Sequence, residues 1–389
     1  MKIKFNHDKI LTFAAFFPIV LLTLQIIIVG LKILPHSGVR IISIVISGLF
    51  MLPALIIIVK RKLKLLLISY AVVYVLIAYS YLFFPENAKY IFDEMFNLLL
   101  IIVPAFLCIA SVSNLQNFKS VLNGISNVIF LLGFLYFILV FLQRISFANY
   151  NMSYSYYLLL PALVFSSQKK ISSNLKVIII LFLMLVFGSR GPLFIAVFYF
   201  IISNTIYFKK KILLYLTILI SVLLILLIDF NAVLVFTEKY IGFSPRTLYF
   251  IINEQTFSDT NRFGIFKNVW ESILDGPFLG RGLFSDRVIN NGTYSHNLLL
   301  EVLHGFGFFL GSVLIVYLLW ITVYTYKRTN KNERNYFLIF FFYGFLPLLF
   351  TGSYIQHNWF AVFLGGIILF FNLNKNKNIV GYNSINDIT

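Results

Sequence analysis

Apolar runs of about twenty residues follow one another along nearly the whole chain, and each is long enough to cross the hydrocarbon of a bilayer as a helix. That repetition leaves little choice of fold. Inside hydrocarbon a backbone must satisfy its own N–H and C=O groups, which a helix does within the segment. The composition agrees: 60% of the 389 residues are apolar and 12% charged, which excludes an ordinary soluble globular domain. The expected class is an all-α polytopic membrane protein with about twelve spans, at 10–33, 39–59, 65–84, 94–112, 121–142, 153–166, 173–188, 192–208, 212–228, 297–326, 336–351 and 359–373. The expected organisation is a single integral membrane domain, 1–389. The opening MKIKFNHDKI and its apolar run look like a signal peptide, but no small-residue cleavage site follows, so the run is expected to stay as the first span. The single cysteine, Cys108, rules out an intramolecular disulfide.

The formal net charge of +17 sorts itself between the connections. On one side fall Lys2, Lys4 and Lys9, the run KRKLK at 60–64, Lys119, Lys169, Lys170 and Lys176, KKK at 209–211, KRTNKNER at 327–334, and Lys375 with Lys377. These are twenty of the 31 basic residues, against three of the 14 acids (Asp8, Glu333 and Asp387), so the whole excess lies on that side. Such a bias marks the cytoplasmic face. Both termini are expected on the cytoplasmic side of the membrane, and the basic charge reflects topology, with no nucleic-acid partner. The one long connection, 229–296 between the ninth and tenth spans, is then an outer loop, and loops of that length are usually functional. The other outer connections, LPHSGVR, PENAKYIFDE, QRISFANYNMS, GSRGP and TGSYIQHNW, are short.

Two spans are irregular. Tyr154 to Phe165 holds Pro161, and Val177 to Phe187 is an 11-residue run, about 16 Å as helix, that needs residues 171–176 to cross. A short span would put Arg190, in GSRGP, at the floor of an outer cavity. Further prolines at 18, 53, 104 and 347 favour kinked helices. No internal repeat suggests the inverted halves of a transporter. Within the outer loop, Arg262 to Leu274 reads as a helix, with capping oxygens from Ser258 to Asn261 and a stop at Gly276-Pro277. Phe263, Phe266, Trp270, Ile273 and Leu274 would share its apolar face, laid on the membrane surface or on the bundle.

The candidate chemistry gathers at His296-Asn297, where this polar loop meets the run LLLEVLHGFGFFLGSVLIVYLLW. Ser295 can cap the following helix, which would leave His296 at a helix start that disfavours imidazolium. A neutral imidazole suits a general base; the competing reading is a polar residue finishing a helix. Arg190, on a tight glycine-flanked turn, offers a guanidinium to phosphate oxygens, or it snorkels to helix-end carbonyls. Arg262, at the first turn of the loop helix, suits an anion, or pairs with Asp259. Arg281 and Arg287 are further candidates for that anion, Asn297 for a substrate contact. Glu301 and His304, three apart on one helix face, could pair beneath the site, and Glu301 is also a candidate substrate contact. His357 lies in an outer connection and is placed in the same cavity. No phosphate-binding loop, dinucleotide fingerprint or HExxH motif occurs, and the outer carboxylates are dispersed. The site is expected to use arginine and histidine, without metal or cofactor.

Three of these stretches, in this order, resemble the O-antigen polymerase and O-antigen ligase superfamily of bacterial envelopes. GSRG at 188–191 is similar to its Ser-Arg turn, NRFGIFKNVWESILDGPFLGRG to its outer-loop segment, and SHNLLLEVLHGFG to its histidine motif. In that motif Gly307 falls at the expected place, and Gly311 is displaced by one residue. The resemblance implies a metal-independent glycosyltransferase acting on sugars carried by undecaprenyl pyrophosphate, with membrane lipid and possible chain-length regulators as partners. Carried over residue by residue, Arg190 and Arg262 would bind the donor pyrophosphate and His296 would activate the acceptor. Polymerisation of O-antigen or capsular repeat units is the expected reaction. The alternatives are a ligase that transfers glycan to lipid A core and, in another class, a polysaccharide flippase. A flippase would spread ionisable residues through mid-membrane, whereas here the unusual polar residues gather at the outer face.

Overall fold

The computed structural model describes residues 6–142, 144–145, 152–168, 170–187, 189–205, 235, 239 and 262–386. Every regular element among them is helical. The order begins with α1 (His7–Gly30), α2 (His36–Phe83), a 3₁₀ turn Pro85–Asn87, α3 (Ala88–Asn97), a π turn Leu98–Ile102 and α4 (Val103–Ala110). Next come α5 (Leu115–Phe141), α6 (Met152–Gln168), α7 (Ile171–Val186) and α8 (Arg190–Thr205). After the undescribed stretch follow α9 (Arg262–Leu274), α10 (Ser285–Ile289), α11 (Leu298–Phe306), α12 (Phe308–Arg328), α13 (Lys331–Gly344), a 3₁₀ turn Leu346–Leu349 and α14 (Asn358–Asn386). Among the described residues five helical runs are long and apolar enough to cross a membrane, and α7, α8 and α14 add shorter apolar helices.

The expected ninth span, 212–228, and most of the loop 229–261 lie outside the described residues. The second and third expected spans form one continuous helical run, interrupted at Lys62 (φ −142°, ψ 36°). The break falls inside the basic run 60–64, where charge forbids a spanning helix to continue. The expected tenth span, 297–326, is corrected: Gly307 splits it into α11 and α12, and only α12 is long enough to cross.

The chain packs as two compact units. One comprises Phe16–Ile46 and Lys119–Ser258. In it α6, α7 and α8 pack on one another, and Tyr136 stacks on Tyr154 at 4.5 Å between ring centroids, with Phe187 edge-on against Tyr154. α7 does draw on 171–176; its 16 residues make about 24 Å of helix, short of a hydrocarbon core about 30 Å thick.

The other unit comprises Met1–Ala15, Ser47–Phe118 and Asp259–Thr389, with α14 packed along α4. Its basic connections gather at one end. Asp8 is buried there, pairs with Arg61 at 3.2 Å, and accepts hydrogen bonds from Ser113 and from the Asn114 amide just before α5. From Leu63 the second arm of α2 climbs to Ser80, a rise of about 26 Å. Ser80 meets the 280–283 turn at the far end. Independently, α12 runs its 21 residues, about 30 Å, from Gly307 beside that turn to the basic pair Lys327-Arg328. Two helices therefore measure one bilayer thickness between the basic end and the end that carries the candidate site.

Candidate functional site

The floor of the site is a crossing of two backbones. The turn 278–282 passes so close to the α11–α12 break that a Cβ on Gly280 would lie 2.2 Å from the Gly307 nitrogen. A Cβ on Gly307 would lie equally close to the Phe278 carbonyl oxygen. Both glycines have positive φ, 76° and 79°, which side chains disfavour. The crossing explains why the run breaks at Gly307, between Phe306 and Phe308. The Arg281 and Gly282 amides donate to the His304 and Gly305 carbonyls (3.1 and 2.9 Å), satisfying acceptors that a helix end leaves open. The turn is in turn held by Ser80, whose hydroxyl accepts from the Leu283 amide at 2.7 Å, and by Asn87, whose amide donates to the Arg281 carbonyl at 2.8 Å.

α9 occupies the range expected for it. Its buried side is different: Val269 and Ile273 are buried on the side towards α11, while Phe263, Trp270 and Leu274 face outward. Trp270 meets Phe308 edge-on at 6.4 Å, and Phe278 stacks on Phe309 at 5.3 Å. These exposed rings continue the apolar surface of α12, as interfacial aromatics do.

His296 stands one residue before the cap of α11. The cap is Asn297, not Ser295: its carboxamide oxygen accepts from the Leu299 and Leu300 amides (2.9 and 3.2 Å), and its amide donates to the Leu349 carbonyl at 3.1 Å. Ser295 is fully buried, with its own amide bound to Asp286 at 2.7 Å. Between these two tethered residues His296 adopts φ 54°, a left-handed conformation that costs a non-glycine residue energy. Its ring lies against Tyr294, 4.2 Å between centroids, and its Nδ1 is buried without a partner among the described residues. Burial first, and the Arg262 charge second, lower its pKa from 6.5 to about 4. Burial and a neighbouring cation thus favour the neutral imidazole, in place of the helix end that was expected to do so.

Arg262 opens α9, half-exposed, and donates to the Phe350 carbonyl at 3.0 Å. Its expected alternative partner, Asp259, lies outside the described residues. Arg281 is half-buried, and its Nε has no partner among the described residues. Arg287 differs: it is 3% exposed, 3.2 Å from Asp286 and 3.5 Å from Glu301, donates to Ser353 at 3.0 Å, and lies over the Phe284 ring. Its guanidinium is thus taken up by two carboxylates and a hydroxyl. Glu301, also buried, accepts from the Ser353 hydroxyl and from the Tyr354 amide at 3.1 Å. The expected Glu301–His304 pair does not form. His304 turns to Ser285 and Ser272, its two ring nitrogens 2.7 and 3.0 Å from their hydroxyls. Since Ser285 donates to the Gly282 carbonyl, His304 Nδ1 must be the donor to Ser285 and Nε2 the acceptor from Ser272. His357 stacks on Trp359 at 4.5 Å, and its amide donates to the Ser353 carbonyl, which brings it to the same end. Burial and the Arg287 charge lower its pKa to about 4.

The structure thus brings His296, Arg262, Asn297, Glu301, Arg287 and His357 to one end of the unit. Arg190 opens α8 in the other unit, and its side chain lies outside the described ones. Asp286, Tyr294 and Ser353 were missed by the reading of the sequence. Asp286 was visible as an acid beside Arg287, and Tyr294 as an aromatic two residues before the histidine. Among the described residues no group of three or more His, Cys, Asp or Glu could hold a metal ion. No curated protein and no solved structure matches the chain. A family model described as O-Antigen ligase matches residues 175–316, the stretch from α7 into α12 that holds Arg190, Arg262 and His296, and the match is consistent with the superfamily that the motifs resemble.

Proposed function

We propose that the protein is a polysaccharide polymerase of the cytoplasmic membrane. It joins oligosaccharide repeat units carried on a polyprenyl pyrophosphate at the outer face, with both termini inside and about twelve spans in all. One observation carries the reading: a partly buried His296, whose Nδ1 has no partner among the described residues, lies in the field of Arg262 at the end of the unit away from the basic connections. That pairs a base with an anion site where the positive-inside bias puts the outer leaflet.

In the proposed reaction an acceptor sugar hydroxyl attacks the anomeric carbon of the donor glycan. The new C–O bond forms as the bond from that carbon to the pyrophosphate oxygen breaks. The hydroxyl proton passes to the His296 imidazole, and the lipid pyrophosphate leaves with the bonding pair. Arg262 meets the charge that grows on the leaving group. Burial, and this cation after it, hold His296 to weak basicity. A bound pyrophosphate offsets that field, so the imidazole gains basicity when the donor is in place. No step in this scheme calls on a metal. The family resemblance gives Arg190 a donor-binding task as well, and loss of rate in Arg190→Ala tests it.

A ligase is the second reading, because the matching family is described by that activity. The deciding experiment incubates purified protein with a lipid-pyrophosphate-linked repeat unit alone, with His296→Ala in parallel. A ladder of lengthened chains that the variant loses by a factor of about 10²–10⁴ supports polymerase and base together. Transfer only after lipid A core is added makes the protein a ligase. Silence in both arms removes the enzyme reading.

A further inference from the structure

The strained histidine needs a restraint, and the structure supplies one outside the residues assigned above. His296 holds its positive φ between two tethered neighbours. On its C-terminal side Asn297 is fixed to α11 and to the Leu349 carbonyl. On its N-terminal side the tether is Asp286 in α10, 1% exposed, whose Oδ2 accepts from the Ser295 amide at 2.7 Å. The other oxygen of that carboxyl faces Arg287, and Arg287 is shared with Glu301 and Ser353. The chain of contacts therefore runs from α11 and the 351–354 turn, through one buried guanidinium, to the residue before the base.

We infer that Asp286 is a positioning residue for His296: it clamps the Ser295 amide, and the Arg287–Glu301–Ser353 cluster fixes its carboxyl. This rests on the reading of His296 as the base. It also gives Arg287 and Glu301 a task away from the substrate. Their polar atoms already have partners within the protein, and desolvated charges are held this way only where geometry is tightly set. A half-made network would leave the loop free to relax His296 into an ordinary backbone conformation. The groups facing His296 are Arg262 from α9 and Tyr294 from its own loop, the latter hydrogen-bonded to Thr351. Neither of them holds its backbone.

The test uses full-length protein in detergent with Asp286→Ala, Asp286→Asn and Ser353→Ala. Two quantities are read: steady-state kinetics on the lipid-linked repeat unit, and the pH dependence of diethyl pyrocarbonate modification at His296, resolved by peptide mass spectrometry. Asp286→Ala should lower kcat by about a hundredfold and change KM for the donor less than threefold. The pH of half-maximal His296 modification should rise by a unit or more, because a released ring meets water. Asp286→Asn keeps an acceptor for the Ser295 amide and should recover kcat to within tenfold of wild type. If Asp286→Ala does not fold, Asp286→Asn and Ser353→Ala carry the test, each expected to lower kcat at least threefold at constant KM and to raise the modification midpoint. Folded variants with wild-type kcat and wild-type modification midpoint overturn the inference. An inactive wild-type protein whose variants still shift the midpoint overturns the glycosyltransferase reading and leaves the clamp standing.

Discussion

Each end of the larger unit is tied by an aspartate and an arginine, and the two ties sit in different surroundings. At the basic end the Asp8 side chain is 7% exposed but Arg61 is 37% exposed, and its guanidinium also reaches His7. At the site end the side chains of Asp286, Arg287 and Glu301 are 2%, 4% and 3% exposed. Water screens the first pair and can take over when a partner is lost. The second cluster has no such substitute, so removing its one cation strands two carboxylates in a dry interior. Burial also pushes the Asp286 carboxyl up, against the pull of Arg287 and the Ser295 hydrogen bonds, so its charge depends on those partners remaining. Backbone strain follows the same division. Phe284, Asn291 and His296 account for three of the four non-glycine residues with positive φ among those described. One end is built to stay at a membrane face, the other to hold a geometry.

This contrast can be broken by experiment. Arg287→Leu should cost about 3–5 kcal/mol, read as a fall in melting temperature in detergent, because it uncovers Asp286 and Glu301 together. Equal melting temperatures for Arg287→Leu and Arg61→Leu would remove the distinction between the ends. Arg262→Gln should move the acid limb of kcat/KM upward from about pH 4, since it deletes the second cause of the lowered His296 pKa and leaves burial in place. The sign is fixed: a cation disfavours imidazolium, so its loss lets the ring protonate at higher pH. An unmoved limb would mean that Arg262 does not act on the base. Asn297→Ala should cost about 1 kcal/mol as a lost cap, and more than that in rate because the same side chain tethers the histidine loop. The smallest effect belongs to Arg61→Leu, under about 1 kcal/mol and smaller still in high salt.

The all-helical class was legible because hydrocarbon leaves a backbone no freedom, and the range of α9 because Gly276-Pro277 stops a helix by local rules. Its buried face was not legible. An apolar stripe separates core from water, but at a membrane surface large apolar side chains such as Phe263 and Trp270 can face lipid, so the stripe does not say which side is inside. The cap went to Asn297 because the backbone turns at His296, and both candidate residues carry capping oxygens. Glu301 and His304 are neighbours on a helix, but Arg287 and Ser353 took one and Ser272 and Ser285 the other. Partners 14 to 52 residues away displace a partner three away, and no local pattern announces them. The break at Gly307 was hidden for the same reason, since its cause is Gly280.

That crossing has an evolutionary reading. A side chain at either glycine would collide with main chain, which cannot rotate out of the way. Neither position can therefore be explored by single substitutions while the crossing persists. Drift can rewrite the apolar spans, where one large hydrophobe replaces another at little cost, yet the two glycines must be inherited together. In any lineage that keeps this architecture, glycines equivalent to Gly280 and Gly307 should remain recognisable after the sequence between them has diverged beyond alignment.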